Sequence, residues 1–184
     1  MKKILLTLIL TFTLFGDSKP MQENNTKKAY FAGGCFWGVE YHFEKLPGVI
    51  EANSGYMGGN TPNPTYQTIS TGTTGHVEAV EVIYNPKKIS FEELAKLFFE
   101  IHDPTQANGQ GPDIGSQYLS YIFYNNENEK NISQNLIDIL ESKNYKVATK
   151  LSPITTFYIA EEYHQNYYKV KRQKPYCHVY KKRF

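Results

Sequence analysis

The chain lacks most of the features that assign a sequence to a specialised class of protein. Its 184 residues include only two cysteines and one tryptophan, and its net charge is only +2. A charge so nearly balanced gives no broad basic surface, so we expect no nucleic-acid partner. Two cysteines far apart in sequence lack the paired spacing of zinc ligands, so we expect no metal.

The chain also has no long hydrophobic run. Its main apolar stretch, residues 4–15, is shorter than the roughly 20 residues that a membrane-spanning helix needs. Lys2 and Lys3 precede this stretch and small residues follow it, which is the pattern of a signal peptide over residues 1–18. We therefore predict an exported protein, periplasmic or secreted, with no stable membrane anchor. Residues 19–28 are polar and predict a flexible lead-in.

The remaining residues, 29–184, predict a single domain with an α+β fold. Apolar runs bounded by turn residues predict strands at 29–32, 49–54, 76–84 and 118–124. Helical spacing predicts one helix after Cys35 and a second after Ser90, where Ser90 and Glu93 form a capping box. The β-α-β-β-α-β order indicates a two-layer α/β sandwich with a ferredoxin-like core. Additions follow at the C-terminal end, including a last helix over 160–169.

Cys35 is the first candidate for chemistry. It follows Gly33 and Gly34 at the predicted junction of a strand and a helix. Amide N–H groups and the helix dipole favour a thiolate at such a position, so we predict a reactive thiol. Two other interpretations remain open at this point. Cys35 can be an inert core residue, or it can form a structural disulfide with Cys177, as cysteine pairs of exported proteins often do.

Glu78 is the second candidate. Strand alternation places Glu78 on one face with His76, Val80 and Val82. If that face is buried, the pKa of the carboxyl rises and Glu78 becomes a general acid. If the opposite face is buried, Glu78 is solvated, and alternation alone does not distinguish the two cases.

Five motifs, in order, resemble those of the A-class peptide methionine sulfoxide reductases. The first is Gly-Cys-Phe-Trp-Gly at residues 34–38, which is the active-site signature of that family. The others occupy residues 54–66, 74–78, 102–118 and 160–165. Since the resemblance extends from residue 31 to about residue 168, it covers nearly the whole predicted domain.

The resemblance implies roles for particular residues. Cys35 attacks the sulfoxide sulfur and becomes a sulfenic acid, and Glu78 gives a proton to the departing oxygen. The residues that it implies for substrate binding are Phe36 and Trp37 around the methyl group, and Tyr56, Tyr118 and Asp113 around the oxygen. The implied substrates are the S epimer of methionine sulfoxide, free or in oxidised proteins.

Cys177 is the implied resolving cysteine. It lies in a polar segment, 170–184, that we predict to be free to swing toward Cys35. The resulting disulfide is expected to be reduced by a thioredoxin-like donor or another dithiol, with no bound cofactor. We also expect a monomer. The sequence departs from the family pattern at Ser116 and Leu119, where members usually have Thr and Arg.

Two other functions fit parts of the sequence. A Cys–His thiol hydrolase would use Cys35 with one of the five histidines, and it would cleave amides rather than reduce sulfoxides. A secreted binding module clamped by a Cys35–Cys177 disulfide would lose thermal stability on reduction and would show no turnover.

Overall fold

A computed structural model of the protein describes residues 25–184. The predicted signal peptide and most of the predicted lead-in lie outside these residues. The first strand begins at Lys27, so the last two residues of the predicted lead-in belong to the sheet instead. Within residues 25–184, no helix combines the length and the apolarity needed to cross a bilayer.

A six-stranded sheet with helices packed against it forms the body of the protein. In chain order the elements are β1 (Lys27–Gly33), α1 (Phe36–Phe43), β2 (Val49–Met57), α2 (Tyr66–Ile69), β3 (Val77–Tyr84), α3 (Phe91–Ile101), β4 (Gly109–Gln110), β5 (Asp113–Ile114), β6 (Ser120–Tyr124), α4 (Glu127–Ser142), β7 (Lys150–Pro153), β8 (Tyr158–Ile159) and α5 (Tyr167–Lys171). The sheet order is β7-β6-β1-β3-β2-β8, and β4 and β5 pair separately. Neighbouring strands of the sheet are antiparallel except β6 and β7. The predicted mixed α/β fold with a central sheet is confirmed.

An aromatic cluster fixes α1 and α3 against the central strand. The ring of Phe31 in β1 lies 5.0 Å from the ring of Phe43 in α1 and 5.2 Å from that of Phe98 in α3. All three side chains are fully buried. The predicted capping box starts α3, since the Ser90 hydroxyl accepts from the Glu93 amide and the Glu93 carboxylate accepts from the Ser90 amide. These contacts set where α1 begins relative to the sheet.

The structure differs from the predicted elements at three places. The last predicted helix is divided into a 3₁₀ turn, Glu162–His164, and α5, because Asn166 between them adopts a left-handed conformation with φ 52°. Tyr118 lies in a 3₁₀ turn before β6 rather than in the strand. Strand β2 continues to Met57, three residues beyond the end of the strand predicted at 49–54.

The C-terminal segment is anchored rather than free. The last carbonyls of a helix have no partner inside the helix, and those of α3 are capped by the final residues described. The Phe99 carbonyl accepts a hydrogen bond of 2.8 Å from the buried Arg183 guanidinium, and the Glu100 carbonyl accepts one of 2.7 Å from the Lys181 amide. With α5 at its other end, the segment that carries Cys177 is a closed loop instead of the predicted swinging tail.

Replacing Arg183 by alanine should therefore destabilise the protein. The change leaves the buried Phe99 carbonyl without its donor, which costs about 1–3 kcal/mol of unfolding free energy. Urea denaturation followed by circular dichroism measures this. Lys182→Ala is the matched control, because Lys182 is exposed and exposed substitutions usually change stability by no more than about 0.5 kcal/mol. Equal stability of the two variants would contradict the capping role.

Candidate active site

Cys35 lies where β1 turns into α1, as the sequence predicts. It is the N-cap residue of α1, and its side chain is half-buried. Gly34 before it has φ +89°, and a Cβ at that position would lie only 2.4 Å from the Gln110 Cβ. Both the backbone angle and the close approach of Gln110 therefore require glycine. The turn presents the Cys35 sulfur beside the exposed amides at the start of α1.

Glu78 faces this same turn from the neighbouring strand β3. Its side chain is only 2% exposed, so the buried alternative is the correct one. One carboxyl oxygen accepts a 2.9 Å hydrogen bond from the Phe36 amide, one of the unpaired donors at the start of α1. Burial nevertheless raises the pKa of Glu78 to about 8, against the opposite effect of this hydrogen bond. The carboxyl therefore holds its proton near neutral pH.

A cavity of about 150 Å³ brings the candidate residues together. It is lined by Cys35, Phe36, Trp37, Tyr66, Glu78, Asp113, Tyr118 and Tyr176. All predicted site residues are among these except Tyr56 and Cys177. A larger groove of about 650 Å³ runs between α1, β2 and the region of α5, but none of the residues above lines it.

Tyr56 was predicted to bind the sulfoxide oxygen, but the tyrosine in the cavity wall at this place is Tyr66. Tyr56 is fully buried, and its hydroxyl donates a 2.6 Å hydrogen bond to the Glu161 carboxylate. The same carboxylate accepts from the Tyr66 amide at 3.0 Å, so Glu161 links the two tyrosines. A local feature did point to Tyr66, because Thr65 before it forms a capping box that starts α2.

Trp37 forms a fixed apolar wall of the cavity. Its ring stacks on that of Tyr167, with centroids 3.7 Å apart and planes 4° from parallel. The indole N–H donates to His164 Nδ1 at 3.1 Å. Held on its face and at its edge, the indole keeps one orientation beside Cys35.

The polar residues of the cavity stay in their hydrogen-bonding forms. Burial raises the pKa of both Tyr66 and Tyr118, so both phenols keep their O–H groups. Burial also raises the pKa of Asp113. The two phenols can therefore donate hydrogen bonds to an oxygen in the cavity. Among residues 25–184, no three His, Cys, Asp or Glu side chains are grouped as metal ligands.

Cys177 reaches Cys35 from the closed C-terminal loop. Both cysteines are free thiols in the structure, and their side chains lie close enough for each to shift the pKa of the other. Contact with Cys177, burial and the neighbouring Glu78 side chain raise the pKa of Cys35. Contact with Cys35 lowers the pKa of Cys177. Contact with His178 also lowers it, whereas burial raises it.

The family model for peptide methionine sulfoxide reductase matches residues 27–184. The chain belongs to this family. It is 48% identical over 150 residues to the peptide methionine sulfoxide reductase MsrA of Ruthia magnifica, covering 82% of the chain and 90% of that relative. The fold is similar to that of reduced Mxr1 from Saccharomyces cerevisiae, with a TM-score of 0.78, 36% identity, and coverage of 85% of this chain and 93% of Mxr1.

A second structure of Mxr1 contains a protein partner. It is Mxr1 in complex with Trx2, with a TM-score of 0.58, 26% identity, and coverage of 90% of this chain and 96% of that one. Membership of the family removes the thiol hydrolase and the binding module as explanations for the five motifs.

The two departures from the family pattern lie outside the cavity wall. The Ser116 hydroxyl donates to the Gly72 carbonyl at 3.1 Å. Leu119 packs beside a buried cluster that includes Phe123. Neither residue lines the cavity. Leucine in place of the usual arginine therefore changes a packed region rather than the cavity.

The positions of Tyr66 and Tyr56 predict different reaction rates when each tyrosine is replaced by phenylalanine. Tyr66→Phe removes a hydroxyl from the cavity wall, and loss of such a donor typically slows a reaction by about 10²–10³-fold. We expect the single-turnover rate of methionine formation to fall by at least about tenfold, because Tyr118 still supplies one donor. Tyr56→Phe is the matched control and should keep this rate within about twofold. A slower reaction in Tyr56→Phe than in Tyr66→Phe would contradict this placement.

Proposed function

We propose that this chain reduces methionine S-sulfoxide, free or in oxidised proteins, with Cys35 as the nucleophile. Thiol-dependent reduction of methionine sulfoxide is the activity of its family. One observation carries the assignment to these residues: Cys35 and the buried carboxyl of Glu78 line the same small cavity. A nucleophile and a proton donor therefore face one bound sulfoxide group.

The reductive step needs a sulfur nucleophile and a proton for the oxygen. The Cys35 sulfur attacks the sulfoxide sulfur, whose methyl group lies against Phe36 and Trp37. Glu78 gives its proton to the oxygen as the oxygen moves to Cys35, and the thiol proton of Cys35 replaces it on Glu78. The products are methionine and a sulfenic acid on Cys35. The sulfoxide is reduced and Cys35 is oxidised, so the electrons balance.

The phenols stabilise the oxygen during this transfer. Negative charge develops on the sulfoxide oxygen as its bond to sulfur weakens. Tyr66 and Tyr118 keep their O–H groups and line the cavity, so they can donate to that charge. Asp113 completes the polar side of the cavity opposite the apolar wall of Trp37.

Glu78→Gln should slow the reductive step while the fold persists. The amide has nearly the same shape but supplies no acidic proton, and general acid catalysis typically contributes about 10²–10⁴-fold. The pKa of Glu78 is raised to about 8, so the wild-type rate should decline as pH rises through that value and the carboxyl loses its proton. The variant should lack this decline. Quenched-flow measurement of methionine formation from pH 6 to 9 tests both.

Glu81→Gln on the same strand is the control, because Glu81 pairs with Lys28 and Tyr30 away from the cavity. If Glu78→Gln has the same rate and pH profile as Glu81→Gln, Glu78 is not the general acid.

Resolution of the sulfenic acid is assigned to Cys177. Its thiol neighbours Cys35 and has a lowered pKa, which favours the thiolate that attacks sulfur. The product is a Cys35–Cys177 disulfide that an external thioredoxin-like dithiol reduces. The complex of Mxr1 with Trx2, a related protein with its partner, supports a donor of this kind.

Cys177→Ser should separate resolution from reduction. The variant should release one equivalent of methionine and accumulate a sulfenic acid that dimedone captures. With thioredoxin as donor, multiple turnover should cease, because no disulfide forms for it to reduce. Mass spectrometry and steady-state rates provide the readouts. Cycling of the variant at the wild-type rate with thioredoxin would show that Cys177 takes no part.

The site of action is proposed to be outside the cytoplasm, in monomeric form. The basic start, the apolar run at 4–15 and the small residues after it support export. Fractionation followed by light scattering should find shortened, monomeric protein in the periplasm or medium. Full-length protein confined to the cytosol would refute export, and an obligate dimer would refute the monomer.

A further inference from the structure

His178 joins the two cysteine-bearing segments, although the reaction described so far does not use it. It follows Cys177 directly and is only 2% exposed. Its Nε2 lies 2.7 Å from the Gly33 carbonyl oxygen, at the end of β1. Its Nδ1 lies 3.0 Å from the Cys177 sulfur. One imidazole therefore contacts both the strand that leads to Cys35 and the thiol that faces it.

The hydrogen bond to Gly33 defines the tautomer of the ring. A carbonyl oxygen only accepts hydrogen bonds, so Nε2 carries a hydrogen. In the neutral ring, Nδ1 then presents its lone pair to the Cys177 thiol. The ring also lies against the backbone of α1, because a Cβ at Gly38 would be 2.2 Å from His178 Nδ1. The lone pair is thus held toward the sulfur.

We propose that His178 is a catalytic base for the resolving step and takes the Cys177 proton as this thiol attacks the Cys35 sulfenic acid. The proposal rests on the resolving role of Cys177. The sulfur–sulfur bond forms as the sulfur–oxygen bond of Cys35 breaks. The proton received by His178 returns to the departing oxygen, which leaves as water. Cys177 is oxidised and the sulfenic sulfur is reduced, so no further reactant is needed.

The resolving step requires that Cys177 lose its proton, and the contact with His178 meets this requirement whereas the remainder of the loop does not. An ordinary cysteine has a pKa near 8.5, so only about 3% is thiolate at pH 7. The basic residues near Cys177 in sequence are exposed, and water and salt screen their charges. The His178 contact lies inside the protein and is in place before the attack.

Other titratable groups act on this pair and could modify its pH dependence. The His42 ring bonds to the His178 carbonyl at 3.1 Å, from α1. The groups that exchange charge effects with Cys177 or His178 are Cys35, His42, Glu78, His102, Asp113, Tyr168 and Tyr176. Among the described residues, the side chain that hydrogen-bonds to the Cys177 sulfur is His178.

His178→Gln tests the proposal, because it separates anchoring from proton transfer. The glutamine amide N–H can replace Nε2–H toward Gly33, but no base remains at the Nδ1 position. Methionine formation in the first turnover should be unchanged. Conversion of sulfenic acid to disulfide should be about 30-fold slower at pH 7, the penalty for a thiol that is about 3% ionised. The deficit should vanish above about pH 9. Rapid quenching and mass spectrometry from pH 6 to 9.5 measure both steps.

The controls distinguish failure of this proposal from failure of the resolving role. His42→Gln keeps an N–H donor for the His178 carbonyl and should keep the wild-type pH profile of disulfide formation. If Cys177→Ser cycles normally with thioredoxin, the resolving role itself fails. If Cys177→Ser is blocked but His178→Gln forms the disulfide with the wild-type rate and profile, the catalytic base is refuted.

A measurement with His178 intact covers the case in which His178→Gln does not fold. In Cys35→Ser, alkylation of Cys177 by iodoacetamide reports the thiolate without the contribution of Cys35. The rate should rise with a midpoint at least one pH unit below the ordinary cysteine value near 8.5. A midpoint at 8.5 would overturn the proposal.

Discussion

The hydrogen bond from the Phe36 amide to the Glu78 carboxyl is the interaction on which the site depends. It joins the first turn of α1 to the neighbouring strand β3, and so fixes the distance between nucleophile and acid. It also satisfies a donor that the helix itself cannot satisfy. A carboxyl buried without such a partner would be far more costly. Among residues 25–184, the carboxyl has one amide donor and no cation among the groups that shift its pKa, so burial favours the neutral acid, which is the form that the reaction uses.

The C-terminal loop imposes the second constraint. Arg183 and Lys181 secure its far end on α3, and His178 secures its middle on Gly33. Cys177 is consequently held beside Cys35 before any substrate is bound. Resolution then needs only a local rearrangement of the loop, whereas a free tail would lose conformational entropy at each turnover.

Much of the fold followed from local patterns in the sequence. The four central strands, the start of α1 and the capping box of α3 depend on apolar spacing and on turn or cap residues, all of which are visible in short windows. Strand β3 was ambiguous for a physical reason, since both of its faces are buried and alternation carries no information there. The position of Glu78 could be settled only by the helix that covers its face.

The parts that the sequence did not predict depend on contacts between distant segments. Tyr66 lies at the cavity because Glu161, far along the chain, accepts a hydrogen bond from its amide. Glu161 also accepts a hydrogen bond from the hydroxyl of Tyr56. The left-handed Asn166 divides the last predicted helix. In the sequence, the loop of Cys177 has the pattern of a polar tail, since the residues that anchor it are polar and their partners lie on distant elements such as α3 and β1. In each case the deciding partner lies outside the local window.

The single tryptophan of the chain has a consequence for observing the enzyme at work. Trp37 stacks on Tyr167, donates to His164 and lines the cavity that contains Cys35. Indole fluorescence depends on the polarity, stacking and quenching groups around the ring, and here all the emission comes from one indole beside the reacting sulfur. The protein thus has a built-in optical reporter, and each change in the oxidation state of Cys35 occurs within range of its only strong fluorophore.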